Sequence, residues 1–222
     1  VRAAKVAIAA GCDGITAHLR EDRRHIRDDD IARLKAEIDK PLNLEMAATE
    51  EMLDIARQAA PDAVTLVAER PNEITTEGGL DVKSNAAIVS KTVDSLREDG
   101  ILASLFIDPD PVQIEVAREV GAQQVELCTA SYSDAMLGAR GIHGEGAVRA
   151  NQELRRLREA AELAAQYGLL VAAGHGLTYR NVRAVAAIDE IIEFNIGHNI
   201  VARAIFVGLE TAVREMSAAI RR

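Results

Sequence analysis

"GITAHLREDRRHIRDDDIARLKAEIDKPLNLEMA", residues 14–47, contains one complete strand–helix–strand unit. Ile15–His18 is a short apolar run that ends on an imidazole, and Leu42–Glu45 is a second that ends on a carboxylate. Between them, "DIARLKAEID" repeats its apolar residues at three- and four-residue spacing, the period of an amphipathic helix. Two strands joined by a helix run parallel, with a right-handed crossover.

The same alternation continues along the chain. Strand-like runs recur at Ala63–Val67, Leu102–Ile107, Gln124–Cys128, Leu169–Ala173 and Phe194–Ile196. Helical stretches such as "TEEMLDIARQAA", "AAIVSKTVDSLREDG", "VQIEVAREVG", "NQELRRLREAAELAAQYG" and "NVRAVAAI" separate most of them, and a helical tail runs from about Val201 to Arg222. Gly100, Gly121 and Gly168 mark helix ends. The Gly-rich connection from Thr129 to Ala150 reads as an insertion or mobile loop. No sequence period is shared between units, which excludes a solenoid.

Seven strand-like runs are visible, and the chain opens on Val rather than Met with "VRAAKVAIAAGCDG", a helix already under way. A first strand is therefore expected upstream, and seven plus one gives a TIM (β/α)8 barrel. The expectation is a single barrel domain over residues 1–222, N-terminally truncated. An open doubly wound sheet is the alternative, but it concentrates its site at one switch point. Here polar residues stand at nearly every strand end, which favours the barrel.

Composition narrows the function. With 48% hydrophobic and 27% charged residues in 222, the chain can build one sizeable core. Aromatics make up only 3%, which argues against base-stacking surfaces, and the net charge of −9 repels a phosphate backbone at long range. No nucleic-acid partner is expected, and any anionic ligand must be held by a local site. No apolar run approaches the roughly 20 residues of a membrane span, and the N-terminus lacks a signal-peptide layout. Cys12 and Cys128 are far apart, in neither a metal-type nor a redox pair, and read as free thiols of a reducing, cytoplasmic compartment.

In a barrel, the C-terminal strand ends converge on one mouth. These ends deliver His18 and Arg20, Glu45, Glu69, Glu126, His175 and His198. Four of the five histidines, counting His25, lie at or just beyond such an end, whereas His143 sits in the loop "GIHGEG". Imidazoles and carboxylates gathered at a low-dielectric rim are the material of proton transfer near neutral pH. Glu45 and Glu126 have a structural alternative as buried ion-pair partners, and "REDRRH" as a solvated charge cluster. "AAGHGLTYRNV" and "EFNIGHNIVARAI" place Gly174-His175-Gly176 and Gly197-His198 between a strand and a helix in successive late units. Free backbone N–H groups there make an anion cradle, with capped tight turns as the plainer reading. "EITTEGGLD", residues 73–81, brings Thr75 and a glycine pair suited to a closing loop.

These stretches also carry a resemblance. "GITAHLREDRRHI", "LNLEMAATEEM", "EITTEGGLDV", "SLFIDPD", "AGHGLTYRNV" and "NIGHNIVARAIFVGL", in this order and across the whole chain, resemble the pyridoxine 5′-phosphate synthase family. The resemblance implies a TIM barrel with extra helices, assembled as a homo-octamer. It implies an enzyme that condenses 1-deoxy-D-xylulose 5-phosphate with 3-amino-2-oxopropyl phosphate to pyridoxine 5′-phosphate, phosphate and water. Its partners would be small phosphorylated substrates, with no cofactor and no metal.

By position, His18 and Glu45 match the family's proton acceptors, His175 its donor and Glu126 its transition-state-stabilising carboxylate. Arg20, His25 and Thr75 match binders of the deoxyxylulose phosphate, and Gly176, Gly197 and His198 the cradle for the second phosphate. Three departures stand out: Cys128 where His is common, Ala130 where Gly is common, and Ala68 where Pro is usual. The family's first strand, with its Asn-x-Asp-His motif, is absent from this sequence. Two other functions remain open on the residues alone: a phosphosugar isomerase or epimerase, and a non-catalytic phosphate-ligand binder. None of the five lysines falls at a strand's C-terminal end, which counts against Schiff-base chemistry.

Overall fold

The computed structural model describes residues 1–69, 78–138 and 145–221. Its strands are β1 (Ile15–His18), β2 (Leu42–Met46), β3 (Ala63–Leu66), β4 (Leu102–Ile107), β5 (Gln124–Cys128), β6 (Leu170–Gly174) and β7 (Ile191–Asn195). Its helices are α1 (Arg2–Ala9), α2 (Asp28–Glu37), α3 (Glu50–Ala59), α4 (Ala86–Glu98), α5 (Pro111–Glu119), α6 (Ala130–Gly138), α7 (Glu145–Gln166), α8 (Val182–Ala186), α9 (His198–Val207) and α10 (Leu209–Ile220).

Strand order in the sheet follows chain order, β1 through β7, and each neighbouring pair is parallel. A doubly wound sheet reverses its order at a switch point, so that alternative is excluded. The sheet also curls back on itself. The Thr16 hydroxyl on β1 donates to Asn195 Oδ1 on β7 at 2.7 Å, although the two strands share no backbone ladder. The architecture is an α/β barrel of the TIM type, with seven strands among the described residues.

The two-residue strand period sorts the side chains. Leu42, Leu44 and Met46 of β2 are fully buried under the helices, while Asn43 and Glu45 alternate with them on the inner face. Inner positions on the first strands are polar and join in a chain. Asn43 Nδ2 donates to Thr16 Oγ1 (3.4 Å), and Thr65 Oγ1 donates to Asn43 Oδ1 (3.0 Å). The apolar core lies between sheet and helices, built almost entirely from aliphatic side chains.

Local chemistry sets the helix starts. Thr49 caps α3 by accepting from the Met52 N–H (3.4 Å), and Asp110 caps α5 by accepting from the Val112 N–H (2.8 Å), with Pro111 at the first turn. α4, α5 and α7 stop just before Gly100, Gly121 and Gly168, as expected.

Several expectations need correction. The segment from Thr129 to Ala150 is not a plain loop, because α6 occupies its first part and α7 begins at Glu145 rather than near Asn151. α6 escaped notice because its buried set, Tyr132, Ser133 and Ala135, mixes small and polar residues without an apolar stripe. It is fixed instead by hydrogen bonds, Tyr132 OH to the Asn181 carbonyl (3.0 Å) and Asn181 Nδ2 to Ser133 Oγ (3.3 Å). β6 is shifted by one residue, to Leu170–Gly174. β7 spans Ile191–Asn195 rather than Phe194–Ile196, since Glu193 interrupts the apolar run that marked the other strands. The C-terminal tail is two helices, broken at Gly208, whose backbone (φ +80°, ψ +154°) leaves the helical region. No described helix is long and apolar enough to cross a membrane.

Candidate active site

A cavity of about 500 Å³ opens at the C-terminal ends of the strands. Nine of the ten residues expected at the site line it: His18, Arg20, His25, Glu45, Glu126, His175, Gly176, Gly197 and His198. The tenth, Thr75, lies outside the described residues, as does His143. Asn195, Phe106 and Val67 complete much of the wall.

His18 ends β1 between two carboxylates. Its Nε2 lies 3.0 Å from Glu69 Oε1, and its Nδ1 lies 3.9 Å from Glu45 Oε2. Glu45 sits on β2 directly beside His18 in the parallel register. Burial pushes the Glu45 carboxyl above the ordinary range, and the neighbouring His18 pulls it part of the way back.

Glu126 on β5 is 2% exposed and faces the cavity floor. Its carboxyl is raised well above the ordinary value, first by burial and then by the nearby Glu45 charge. One hydrogen bond opposes this shift, from Asn195 Nδ2 to Glu126 Oε2 at 2.8 Å. The other oxygen presses on β6, where a Cβ at Gly174 would stand 2.2 Å from Glu126 Oε1. Only glycine fits between that carboxylate and the strand.

His175 follows Gly174 with φ +78°, a left-handed backbone uncommon for a residue bearing a Cβ. The turn is pinned by Thr129, whose hydroxyl reaches the carbonyls of Gly174 (2.8 Å) and His175 (2.5 Å). Gly176 is left-handed as well, and a Cβ there would stand 2.8 Å from Ser133 Cβ. Burial lowers the His175 imidazole, Asp134 raises it, and His198 lowers it further. The ring lies tilted against Phe106, 6.3 Å between centroids. Beyond β7, Gly197 is the N-cap of α9 and His198 its first residue, so the free N–H groups of that helix start at the cavity rim.

Arg20, just past β1, is 3% exposed, and its Nε lies 3.8 Å from Asp22 Oδ1. A buried guanidinium and the α9 terminus therefore stand at the same cavity as its carboxyl and imidazole groups. Cys128, the last residue of β5, is buried with Val67 and Phe106, and its thiol is pushed up to about 12, mainly by burial. The geometry also shows two partners outside the ten expected site residues, Asn195 and the strand-end residue Glu69. Asn195 anchors Glu126, and Glu69 holds His18. Glu69 is recognisable as a strand-end carboxylate, but nothing local to either residue signals the pairing.

Fold and site together define an α/β barrel with a polar cavity at the C-terminal ends of its strands. Among solved structures, the 3-keto-L-gulonate-6-phosphate decarboxylase of Vibrio cholerae superposes with a TM-score of 0.67 at 13% identity, covering 98% of this chain and 88% of that one. A 3-hexulose-6-phosphate synthase gives 0.65 at 17%, covering 99% and 93%. These similarities concern the fold. Sequence comparison goes further: the family model for "Pyridoxal phosphate biosynthesis protein PdxJ" matches residues 1–222. The protein named pyridoxine 5′-phosphate synthase in Synechococcus sp. (strain JA-2-3B'a(2-13)) is 53% identical over 216 residues, 97% of this chain and 87% of that one. Its namesake in Xanthobacter autotrophicus is 52% identical over 220 residues, 99% and 83%. The chain belongs to the PdxJ family of pyridoxal phosphate biosynthesis proteins.

Proposed function

We propose that this chain performs the reaction its relatives are named for. It closes the pyridine ring of pyridoxine 5′-phosphate from 1-deoxy-D-xylulose 5-phosphate and 3-amino-2-oxopropyl phosphate by acid–base catalysis, as a cytoplasmic homo-octamer. The observation that carries the reading is the gathering of nine sequence-separated residues around one cavity. Arg20 and His25 suit one phosphate, and Gly176, Gly197 and His198 suit the other. Holding two substrates side by side removes the entropic cost of their encounter.

The proton-handling groups between the phosphates fit their roles. His18 and Glu45 are adjacent acceptors, and the His18 charge that forms on proton uptake favours the ionised form of Glu45. Burial holds the Glu126 carboxyl well above the ordinary range, which favours its protonated form as an O–H donor where negative charge develops. Burial biases His175 toward the neutral imidazole. A bound phosphate dianion beside it opposes that bias and readies it as a donor.

The test uses the full-length protein with both phosphorylated substrates, following pyridoxine 5′-phosphate by absorbance and released phosphate in parallel. The proposal requires both products in equal amounts, and none when either substrate is left out. Consumption of deoxyxylulose phosphate alone would indicate an isomerase or epimerase. Binding of both substrates without product would indicate a non-catalytic ligand binder.

A further inference from the structure

We propose that Glu69 is a positioning residue that fixes His18 in the tautomer protonated at Nε2, leaving Nδ1 as the basic nitrogen turned toward Glu45. The inference rests on the reading of His18 as a proton acceptor and specifies which atom accepts.

Glu69 follows β3 at the rim, with its side chain 6% exposed. Both of its oxygens are engaged. Oε1 meets His18 Nε2 at 3.0 Å, and Oε2 accepts from the Glu21 backbone N–H at 3.1 Å. A carboxylate satisfies both contacts as an acceptor only, so the proton between Glu69 and the ring sits on Nε2. A neutral imidazole protonated at Nε2 carries its lone pair on Nδ1. Nδ1 faces Glu45 Oε2 at 3.9 Å, too far for a direct hydrogen bond, and both groups line the cavity.

The proton-transfer step then has a defined direction. A substrate proton moves to Nδ1, its electron pair stays on the substrate, and the imidazolium that forms lies between two carboxylates. Glu69 touches no reacting atom in this arrangement. It sets the tautomer and orientation of the ring, and it ties the end of β3 to the segment that follows β1. The same logic orients an imidazole through a buried carboxylate in the serine-protease triad, where the carboxylate-to-amide change costs about 10⁴-fold through the wrong tautomer.

Glu69→Gln separates this role from a purely structural one, because the change is nearly isosteric. Glutamine offers one acceptor oxygen and one NH2. The Glu21 N–H can only donate and claims the oxygen, so the NH2 turns to His18 and requires a lone pair on Nε2. The ring proton must then move to Nδ1. Nitrogen-15 histidine spectra of the full-length protein read the tautomer directly, with the His18 signal assigned by its loss in His18→Gln. Expected are an Nε2–H tautomer in the parent, an Nδ1–H tautomer in Glu69→Gln, and a fall in kcat of about 100-fold or more with KM for both substrates within threefold. A parent ring protonated at Nδ1, or a variant with unchanged tautomer or unchanged kcat, overturns the proposal. If the parent makes no pyridoxine 5′-phosphate, the functional reading fails, and the tautomers alone decide the role of Glu69.

Discussion

Glu126 and Gly174 constrain each other at the level of single residues. The carboxylate fills the space a Cβ would need, and the missing Cβ lets it lie fully inside the barrel. That burial has a pH signature. In the unfolded chain a glutamate ionises near about 4.3. In the fold Glu126 stays protonated to higher pH, so between those two pKa values the native state binds more protons. Stability therefore falls as pH rises through that interval. Glu126→Gln removes the liability while keeping an acceptor for Asn195. Melting curves should show the variant gaining on the parent as pH rises from about 4, by about 3 °C or more where the gain levels off. A gap that does not change with pH contradicts the burial argument. The sequence marks Glu45 and Glu126 as candidates because a carboxylate on an interior strand is costly, with a buried ion pair as the alternative reading. It cannot show Asn195 as the partner of Glu126, since that bond spans 69 positions and depends on how tightly the sheet curls. The same is true of Glu69 and His18, 51 positions apart.

At the scale of elements, the described β1 and β7 share a seam of side chains and no ladder. Thr16 is its centre, donating to Asn195 and accepting from Asn43. Thr16→Val keeps the shape and removes both bonds, leaving two polar groups inside the barrel without their partner. The expected cost is about 1–3 kcal/mol, read as a lower urea midpoint at unchanged slope. An unchanged midpoint would mean the seam contributes nothing to stability. Because Asn195 also anchors Glu126, the same variant should slow turnover. Strand and helix identity were legible here wherever the period was clean, as in β1, β4 and β5, whose bounds match expectation. β7 was only partly legible, because Glu193 breaks its apolar run and its register against β6 shifts between Val171 and Ala172. α6 was hidden because polar bonds to Asn181, not an apolar stripe, hold it in place.

For the molecule as a whole, the barrel was readable from the alternation of runs and from the chemistry at their ends. The packing of its surface was not. α9 buries none of its residues, and Ile205 and Phe206 are 80% and 82% exposed. An apolar helix face of this kind is surface that the proposed assembly can cover. Light scattering on the full-length protein should give the mass of an octamer, and Phe206→Glu should lower it. An octamer unaffected by that charge would place the contacts on another face.

The central claim is that the groups at the barrel mouth act together as the acid–base apparatus of ring closure. Glu45 tests it most directly, because it lies beside His18 in the register and lines the same cavity. Steady-state formation of pyridoxine 5′-phosphate by Glu45→Gln, in full-length protein with unchanged melting temperature, should fall by about 10²-fold or more. Turnover within threefold of the parent would contradict the account.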